Sequence, residues 1–379
     1  MIHRPLAART AVFRRPGAIA STPAEETSHL TRLRSLIRSE QKTRWKAFGF
    51  SQEWSFDLRP VEAEGENATK YLAAFFSKSG APQKKVFVKQ YHHPEIGRRT
   101  VENEFQGLLI AHRAFKDAGA FRAPQPYSRL LDEKIIFMEH CPSFNLKKRL
   151  FDSLRFSRFV FSKEEKEAIS RKIMEAAALL ASFQNIPAAS HPTDKNETAE
   201  GALFRYQRQF IGHLEHCRQV GFPEALLRRI ESYVLKNLRT ASRASFYLNP
   251  SLSEVVLQHS DFAPWNLLVG EKHLYLTDFQ NFTVGLSCYD LAFFYTALGL
   301  LGRYRTLNRF FLSRLQSLFL ETFMERRGRP LSLFKTFQIM HMLYFVGAGL
   351  HTYKGLFYES LYAVPFRSFM TDWFNRNLE

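Results

Sequence analysis

The sequence predicts an α+β protein with a small N-terminal lobe, which holds an antiparallel sheet and one main helix, and a larger, mostly helical C-terminal lobe. Strand-like patterns fill residues 48–138, and helical patterns dominate from residue 145 onward. The chain has 379 residues, which exceeds a typical single domain of roughly 100–200 residues. Hydrophobic residues make up 45% and aromatic residues 15%, which supplies a sizeable core and excludes a mostly disordered chain.

The N-terminal lobe is predicted from short runs of β-forming residues. Residues 71–76 and 85–91 are two such runs, and the polar stretch between them indicates a turn, so that together they form a hairpin. In residues 100–115 apolar side chains recur at helical spacing, which predicts a helix. Residues 124–126, Pro-Gln-Pro, indicate a loop, and residues 135–138, Ile-Ile-Phe-Met, predict a buried strand.

Helices account for most of the C-terminal lobe. Residues 162–165 read Ser-Lys-Glu-Glu, a capping box that predicts the start of a helix running to about residue 184. A polar loop is predicted at residues 190–200, and further helix at residues 203–241. A short β-hairpin is predicted at residues 267–277, and the remainder, which is rich in Phe and Leu, is predicted to be helical.

The cysteines and the longest apolar stretches indicate the environment of the protein. Cys141, Cys217 and Cys288 form neither a CxxC pair nor a zinc-binding spacing, so we expect no disulfide framework and a reducing compartment. The apolar stretches at residues 291–302 and 339–350 are too short to span a bilayer and predict buried helices. We find no apolar core of a secretory signal near the N-terminus and expect a cytoplasmic protein.

Positive charge is concentrated at the two ends of the chain. The 53 Lys and Arg residues against 36 Asp and Glu residues give a net charge of +17. The first fifty residues contribute ten basic and three acidic residues, and residues 301–379 contribute eleven basic and five acidic residues. Such an excess favours an anionic partner. Because neither end carries a nucleic-acid-binding motif, we expect no nucleic-acid partner.

The chain is predicted to divide into three parts. Residues 1–45 form a basic, flexible arm, residues 46–140 form the N-terminal lobe, and residues 141–379 form the C-terminal lobe. An organelle transit peptide is an open alternative for the arm, because such segments are rich in Arg and poor in acids. A contact between the arm and anionic lipid is another, and it would place the protein at the periphery of a membrane.

Residues suited to chemistry concentrate in one segment, residues 258–280. Asn266 enters the predicted hairpin and Asp278 leaves it, so both lie at its open end. A carboxylate and an amide oxygen that converge there suit a hard cation such as Mg²⁺. Asp261 lies five residues before Asn266, in a loop that Pro264 stiffens. A second carboxylate near the metal, but separate from it, can act as a base toward a hydroxyl group.

The order of these residues resembles the catalytic core of the protein-kinase-like superfamily. His259-Ser-Asp261-Phe-Ala-Pro-Trp-Asn266 is similar to the His-x-Asp-x-x-x-x-Asn catalytic loop, and Asp278-Phe-Gln replaces the protein-kinase Asp-Phe-Gly. This spelling, with Tyr-Asp290-Leu-Ala downstream, is closer to the aminoglycoside phosphotransferase and choline kinase branch. The resemblance implies the two-lobed fold of that superfamily and a kinase that uses ATP and Mg²⁺.

The resemblance also implies roles for these residues. Asp278 and Asn266 would hold Mg²⁺, and Asp261 would accept the proton of the substrate hydroxyl or orient that group. His259 would brace the catalytic loop from within, and Asp290 would steady it from the following helix. Asp261, Asn266 and Asp278 are therefore the expected catalytic residues.

Residues of the N-terminal lobe complete the resemblance. Lys89, in Val-Phe-Val-Lys, matches the strand lysine that holds the α- and β-phosphates. Glu104 matches the helix glutamate that orients this lysine, and Glu102 is the alternative. The hinge that meets the adenine is matched by three residues: Glu139, His140 and Cys141.

The phosphate loop departs from the pattern. In place of Gly-x-Gly-x-x-Gly, residues 65–69 read Gly-Glu-Asn-Ala-Thr and carry a single glycine. This stretch resembles the looser phosphate loop of small-molecule kinases, which makes Asn67 the residue expected to lie at the phosphates.

Together these expectations describe a phosphotransferase that moves the γ-phosphate of ATP to a hydroxyl of a small molecule or glycan. The basic ends favour an anionic acceptor, such as a phosphorylated sugar or a lipopolysaccharide-type glycan, with Arg303, Arg305 and Arg309 as its expected contacts. The alternative is a catalytically inactive kinase-like protein that binds or regulates. The complete set of catalytic residues favours the enzyme, and the single-glycine loop favours the alternative. The oligomeric state is not predicted.

Overall fold

The computed structural model describes nine stretches of the chain: residues 23–61, 68–92, 97–153, 163–192, 197–245, 255–303, 309–328, 333–353 and 359–378. The α-helices in these stretches are α1 Pro23–Lys42, α2 Gly97–Phe115, α3 Leu146–Ser153, α4 Lys163–Gln184, α5 Ala199–Gln219, α6 Glu224–Ser245, α7 Cys288–Arg303, α8 Arg309–Arg327, α9 Phe334–Tyr353 and α10 Glu359–Asn377. The strands are β1 Ser55–Pro60, β2 Ala68–Phe76, β3 Pro82–Tyr91, β4 Phe121–Arg122, β5 Pro126–Leu130, β6 Ile135–Glu139, β7 Phe144–Asn145, β8 Val255–Gln258, β9 Leu267–Val269, β10 Leu274–Leu276 and β11 Thr283–Leu286.

Contacts divide the chain into two compact units. One unit contains the described residues up to Leu58 together with Ala74–Lys84, and the other contains Arg59–Ala73 and the chain from Lys85 onward. All described residues of the predicted active site belong to the second, larger unit. The boundaries of the predicted lobes stay predictions.

Helix α1 and a group of aromatic rings build the smaller unit. Leu33 and Ile37 lie four residues apart on one face of α1, and both are buried. Phe75 packs against the rings of Trp45 and Phe50, with centroid distances of 6.0 and 5.2 Å. Within the predicted basic arm, residues 23–42 are therefore helical, whereas residues 1–22 lie outside the described residues.

The first sheet has the strand order β1-β2-β3-β6-β5. It contains the predicted hairpin β2–β3 and the predicted buried strand β6, and α2 follows β3 as the pattern predicts. In the antiparallel pair β3–β6, Lys89 lies opposite Ile136. The stretch interpreted as a loop at residues 124–126 leads directly into a strand, β5. Pro126 can begin β5 because this strand lies at the edge of the sheet, where a missing backbone N–H is tolerated.

Two short pairs of strands frame residues 258–280, in which the predicted active-site residues are concentrated. The predicted hairpin is present as β9–β10, with Leu267 opposite Leu276. Strands β8 and β11, which sequence patterns do not indicate, pair antiparallel with Gln258 opposite Thr283. This second pair brings together the residues that enter and leave this segment.

The C-terminal region is helical, as predicted, and the α+β class is confirmed. Helix α4 matches its prediction within one residue, and the two apolar stretches form α7 and α9. The run predicted at residues 203–241 consists of two helices, α5 and α6. The break has a local cause, because Gly221 has φ of 74° and Pro223 follows it. In the described stretches, we find no helix that combines the length and the apolar character needed to cross a bilayer.

Two hydrophobic clusters fill the larger unit. One gathers side chains of α4, α7 and α8 around Phe262 and Phe279, both of which are fully buried. The other lies among α5, α6, α9 and α10. Phe262 follows Asp261 and Phe279 follows Asp278 in the chain, so burial of each ring in the first cluster anchors its neighbouring carboxylate.

The buried histidine of α9 predicts a loss of stability in acid. His341 Nε2 donates to the Tyr289 carbonyl at 3.1 Å, and burial lowers the pKa of His341 from 6.5 to about 3. Below pH 6.5 His341 therefore binds a proton in the unfolded chain but not in the folded chain. As the pH falls further, the free energy of unfolding decreases by about 1.4 kcal/mol per pH unit. Between pH 7 and pH 5, the free energy of unfolding measured by chemical denaturation should fall less steeply for His341→Gln than for wild type. Equal slopes for the two proteins would contradict the assignment.

Candidate active site

Three charged residues from distant parts of the chain meet in one cluster. Lys89 Nζ on β3 lies 3.1 Å from Glu104 Oε1 on α2 and 2.6 Å from Asp278 Oδ1, just after β10. Lys89 and Glu104 are buried, with 6% and 1% of their surfaces exposed. Of the two candidate glutamates, Glu104 makes the contact, whereas Glu102 pairs with Arg129 at 2.5 Å.

Electrostatics keep this cluster charged. Burial alone would lower the pKa of Lys89, but the carboxylates of Asp278 and Glu104 raise it well above its usual value. Burial would likewise raise the pKa of Asp278, yet the Lys89 ammonium holds it below its usual range. Lys89 is therefore a cation and Asp278 an anion at neutral pH, which is the state needed to hold phosphate and a metal.

A tyrosine that sequence reasoning missed completes the cluster. The Tyr91 hydroxyl donates to Glu104 Oε2, while Lys89 donates to Oε1. Tyr91 lies two residues after Lys89 on β3, so period-two alternation places both side chains on the same face of the strand. That alternation is the one signal in the sequence that could have pointed to Tyr91.

The predicted base and its neighbour in the catalytic loop are held together. Asn266 Nδ2 donates to Asp261 Oδ2 at 2.9 Å and to the Asp261 carbonyl at 2.8 Å. The neighbouring Trp265 also acts on the Asp261 carboxylate and helps to lower its pKa. Its ring packs against Phe293 and Phe345, so Trp265 is a packing residue of this loop.

The surroundings of Asp261 suit it to accept a proton near neutral pH. Burial raises its pKa to about 7, and the nearby charge of Asp278 adds to this shift. The hydrogen bond from Asn266 and the Trp265 side chain oppose the shift without cancelling it. A general base is most effective when its pKa is close to the working pH.

Backbone contacts fix the catalytic loop. Asp290, near the start of α7, accepts the N–H groups of His259 and Ser260, each at 2.8 Å. His259 Nε2 donates to the Thr277 carbonyl at 2.8 Å, which ties this loop to the residue before Asp278. Ser260 and Asp278 have left-handed backbones, with φ of 63° and 68°. Strained conformations of this kind persist where surrounding contacts over-determine them.

The Asp278 loop is also pressed against α2. A Cβ atom added at Gly107 would lie 2.7 Å from Phe279 Cβ. Glycine is therefore required at this point of α2, because it lets Phe279 approach the helix backbone. This close contact fixes the position of Asp278 relative to Glu104, because Glu104 lies on the same helix as Gly107.

The predicted hinge uses part of its backbone within the protein. Glu139 N–H donates to the Gln125 carbonyl at 2.8 Å, and His140 N–H donates to the Lys85 carbonyl at 3.3 Å. Cys141 follows them and is buried. Asn67 of the predicted phosphate loop lies outside the described residues.

The residues at the open end of the β9–β10 hairpin fit a magnesium ion. The amide nitrogen of Asn266 is engaged with Asp261, so its Oδ1 is the atom left to act as a ligand. Asp278 supplies an ionised carboxylate. In the described residues, no group of three or more His, Cys, Asp or Glu side chains is arranged to hold a metal. Two protein oxygens suit Mg²⁺, which takes its other ligands from phosphates and water in nucleotide sites.

Aromatic side chains of α7 and α9 lie near Asp261. Trp265 packs against Phe293 of α7 and Phe345 of α9, at 6.2 and 6.1 Å between centroids. Tyr344 of α9 is 40% exposed, and the charge of Asp261 contributes to the raised pKa of its hydroxyl, after burial. An acceptor hydroxyl that approaches Asp261 would therefore meet an aromatic surface.

Comparison with known proteins gives a family. A family model described as the phosphotransferase enzyme family matches residues 72–331, which is more than half of the chain. No curated protein sequence matches the chain. The motif resemblance to the aminoglycoside phosphotransferase and choline kinase branch is thereby confirmed.

Solved structures show the same fold at very low identity. A choline kinase from Cryptosporidium parvum Iowa II has a TM-score of 0.53 and 10% identity, over 90% of this chain and 94% of that one. A choline/ethanolamine kinase family protein from Mesorhizobium loti has a TM-score of 0.52 and 12% identity, over 91% and 97%. An amicoumacin kinase in complex with AMP-PNP, Ca²⁺ and Ami has a TM-score of 0.50 and 10% identity, over 89% and 96%.

The close approach at Gly107 predicts an unusual response to alanine. Alanine is favoured over glycine inside a helix by about 1 kcal/mol, but at Gly107 the new methyl group would collide with Phe279. We expect Gly107→Ala to lower the melting temperature. Gly212→Ala on α5, where the added atom meets nothing within 4 Å, should leave it unchanged or raise it. A Gly107→Ala protein as stable as Gly212→Ala would contradict the packing argument.

Proposed function

The chain belongs to the phosphotransferase enzyme family, and from this premise we propose that it transfers the γ-phosphate of ATP to a hydroxyl group of a small molecule or glycan. The convergence of Lys89, Glu104 and Asp278, which lie up to 189 positions apart in the chain, is the observation that carries this proposal. A buried cation held between two carboxylates has little value for folding alone. It is the arrangement that phosphoryl transfer requires, since catalysis there consists of positioning and charge neutralisation.

Lys89 and Glu104 are the residues proposed to bind ATP, the phosphate donor. In our proposal Lys89 binds the α- and β-phosphates of ATP, and Glu104 keeps its ammonium group in place. Lys89 Nζ is bonded to Asp278 Oδ1 at 2.6 Å. Phosphate oxygens would share this ammonium, as charge-assisted hydrogen bonds to phosphate are among the strongest that a lysine makes.

Asp278 and Asn266 are the proposed ligands of Mg²⁺. The metal would supply positive charge that offsets the negative charge of the phosphates. The two residues hold their ligand atoms at one end of the β9–β10 hairpin, and the bond from Asn266 Nδ2 to Asp261 fixes which amide atom faces the metal. A fixed orientation means that little reorganisation is needed when the metal and the nucleotide arrive.

Asp261 is the proposed base. Its carboxylate is oriented by Asn266, and its pKa of about 7 allows it to take the proton of an acceptor hydroxyl at neutral pH. The oxygen of that hydroxyl then attacks the γ-phosphorus as the bond from phosphorus to the bridging oxygen of ADP breaks.

The hinge and the phosphate loop are proposed to complete the nucleotide site. Because the N–H groups of Glu139 and His140 donate to other backbone carbonyls, the N–H of Cys141 is the donor that we assign to the adenine. Glu139 is proposed to contribute its carbonyl oxygen, and His140 its backbone. Asn67 remains the proposed phosphate-loop contact.

For the acceptor we propose an anionic small molecule or glycan, such as a phosphorylated sugar. The excess of basic residues in residues 301–379 supports an anionic group. The aromatic surface beside Asp261 supports a ring next to the reacting hydroxyl. The basic N-terminal segment supports contact with a membrane surface, where a lipid-linked acceptor would be found.

A catalytically inactive binding protein is the second candidate function. The single glycine of the phosphate loop favours it. The ionised Asp278, the buried Lys89–Glu104 pair and the raised pKa of Asp261 favour the enzyme, because a protein that only binds has no need of a base poised near neutral pH.

Separate replacement of the two aspartates distinguishes these functions. Asp278→Ala should abolish the thermal stabilisation that Mg²⁺ and ATP give to wild type, which is about 2.7 kcal/mol at 100 times Kd. Asp261→Asn should keep that stabilisation but lower phosphate transfer about 100-fold or more. The measurements are a thermal shift with Mg²⁺-ATP and a screen of hydroxylated acceptors by ATP consumption.

Asp372→Asn, an exposed aspartate on α10, is the matched control and should behave as wild type in both measurements. A wild type that is not stabilised by Mg²⁺-ATP, or an identical shift in Asp278→Ala, would overturn the proposed nucleotide site. Stabilisation without transfer to any acceptor would favour the binding protein.

Neutralising one basic group tests the anionic acceptor. Arg303 ends α7 and Arg309 begins α8, and Arg305 lies outside the described residues. Replacing all three with Gln should raise KM for an anionic acceptor about tenfold or more and leave KM for ATP unchanged, since each lost ion pair to phosphate weakens binding. Steady-state kinetics with the best acceptor from the screen provide the measurement. Unchanged acceptor kinetics in the triple variant would refute the role of these arginines.

A further inference from the structure

Tyr91 is buried beside the Lys89–Glu104 pair although it belongs to none of the motifs of the chain. It lies two residues after Lys89 on β3, so both side chains leave the strand on one face. Only 4% of Tyr91 is exposed, compared with 6% of Lys89 and 1% of Glu104. The three side chains therefore share one enclosed space.

Tyr91 is hydrogen-bonded to the second oxygen of the Glu104 carboxylate. Lys89 Nζ donates to Oε1 at 3.1 Å, and the Tyr91 hydroxyl donates to Oε2. A carboxylate bonded at both oxygens cannot turn without breaking one of the two bonds. Because a buried oxygen that loses its donor is costly, the hydroxyl of Tyr91 fixes the orientation in which Glu104 faces Lys89.

The ring of Tyr91 acts on the lysine as well. Lys89 Nζ lies 4.9 Å from the ring centroid, which is within the range of about 6 Å over which a cation is attracted to an aromatic face. Tyr91 thus contacts both members of the pair, the carboxylate through its hydroxyl and the ammonium through its ring.

We propose that Tyr91 is a positioning residue of the phosphotransferase: its hydroxyl holds Glu104, and Glu104 in turn holds Lys89 toward the phosphates of ATP. This rests on the proposed function, because it takes Lys89 as the residue that binds these phosphates. Electrostatics agree with it. Burial raises the pKa of Glu104, and the hydrogen bond from Tyr91 opposes that rise and so helps to keep the carboxylate ionised.

Removal of the hydroxyl alone provides the test. Tyr91→Phe keeps the ring and should raise both Kd for Mg²⁺-AMP-PNP and KM for ATP about tenfold, the effect of one lost hydrogen bond to a charged group. Calorimetry gives Kd, and acceptor-independent ATP hydrolysis gives KM. We expect kcat to fall less than KM rises, a split that a purely structural tyrosine would not produce. Tyr71→Phe, another buried tyrosine on the neighbouring strand β2, should leave Kd and KM unchanged.

A double-mutant cycle asks whether Tyr91 acts through Glu104. In a Glu104→Gln background, Tyr91→Phe should weaken nucleotide binding by less than about twofold, because the carboxylate that it positions is gone. Independent, multiplying effects of the two changes would overturn the proposal. The proposal would also be overturned if wild type binds Mg²⁺-AMP-PNP and Tyr91→Phe binds it equally tightly. A wild type that binds no Mg²⁺-AMP-PNP would instead refute the proposed function, and this proposal with it.

Discussion

The buried ammonium of Lys89 is the constraint on which the rest of the site depends. A single buried charge costs several kcal/mol unless it is paired, and removing one partner of a buried pair is strongly destabilising. Lys89 is bonded to Glu104 at 3.1 Å and to Asp278 at 2.6 Å. Strand β3, helix α2 and the segment after β10 must therefore be assembled together, because each supplies one member of the cluster.

The packing around the cluster explains how a strained loop is maintained. Asp278 has a left-handed backbone, and its neighbour Phe279 is fully buried against α2 at Gly107. Burial of a phenylalanine stabilises the fold by about 1.5–3 kcal/mol. One strained backbone residue costs about 1–3 kcal/mol, so the two contributions are comparable. The hydrogen bonds that Asp290 accepts from the N–H groups of His259 and Ser260 add to this balance. The site is thus held by the core beneath it and by the start of α7.

Asp261 has both charged and aromatic residues near it. Burial raises its pKa, and the nearby charge of Asp278 adds to this shift. Trp265 and Phe293 pack together nearby, and Phe293 in turn contacts Tyr344, whose pKa responds to the charge of Asp261. These surroundings suit the proposed transfer of phosphate to a hydroxyl on a ring.

Local spacing in the sequence determined the α+β class, the β9–β10 hairpin, and the order along the chain of the proposed active-site residues Asp261, Asn266 and Asp278. Periodicity and motif spacing report on neighbours in the chain, so they could not choose between Glu102 and Glu104. They place Tyr91 on the same face of β3 as Lys89 but could not show that it contacts Glu104. Those choices depend on which side chain of α2 faces β3, a contact between separate elements. Gly221 and Pro223 are a local sequence signal for the break between α5 and α6. No local signal indicates that position 107 requires glycine. Only the tertiary structure brings Phe279 against it, across 172 positions of chain, because burial in a shared core acts between residues that no local pattern relates.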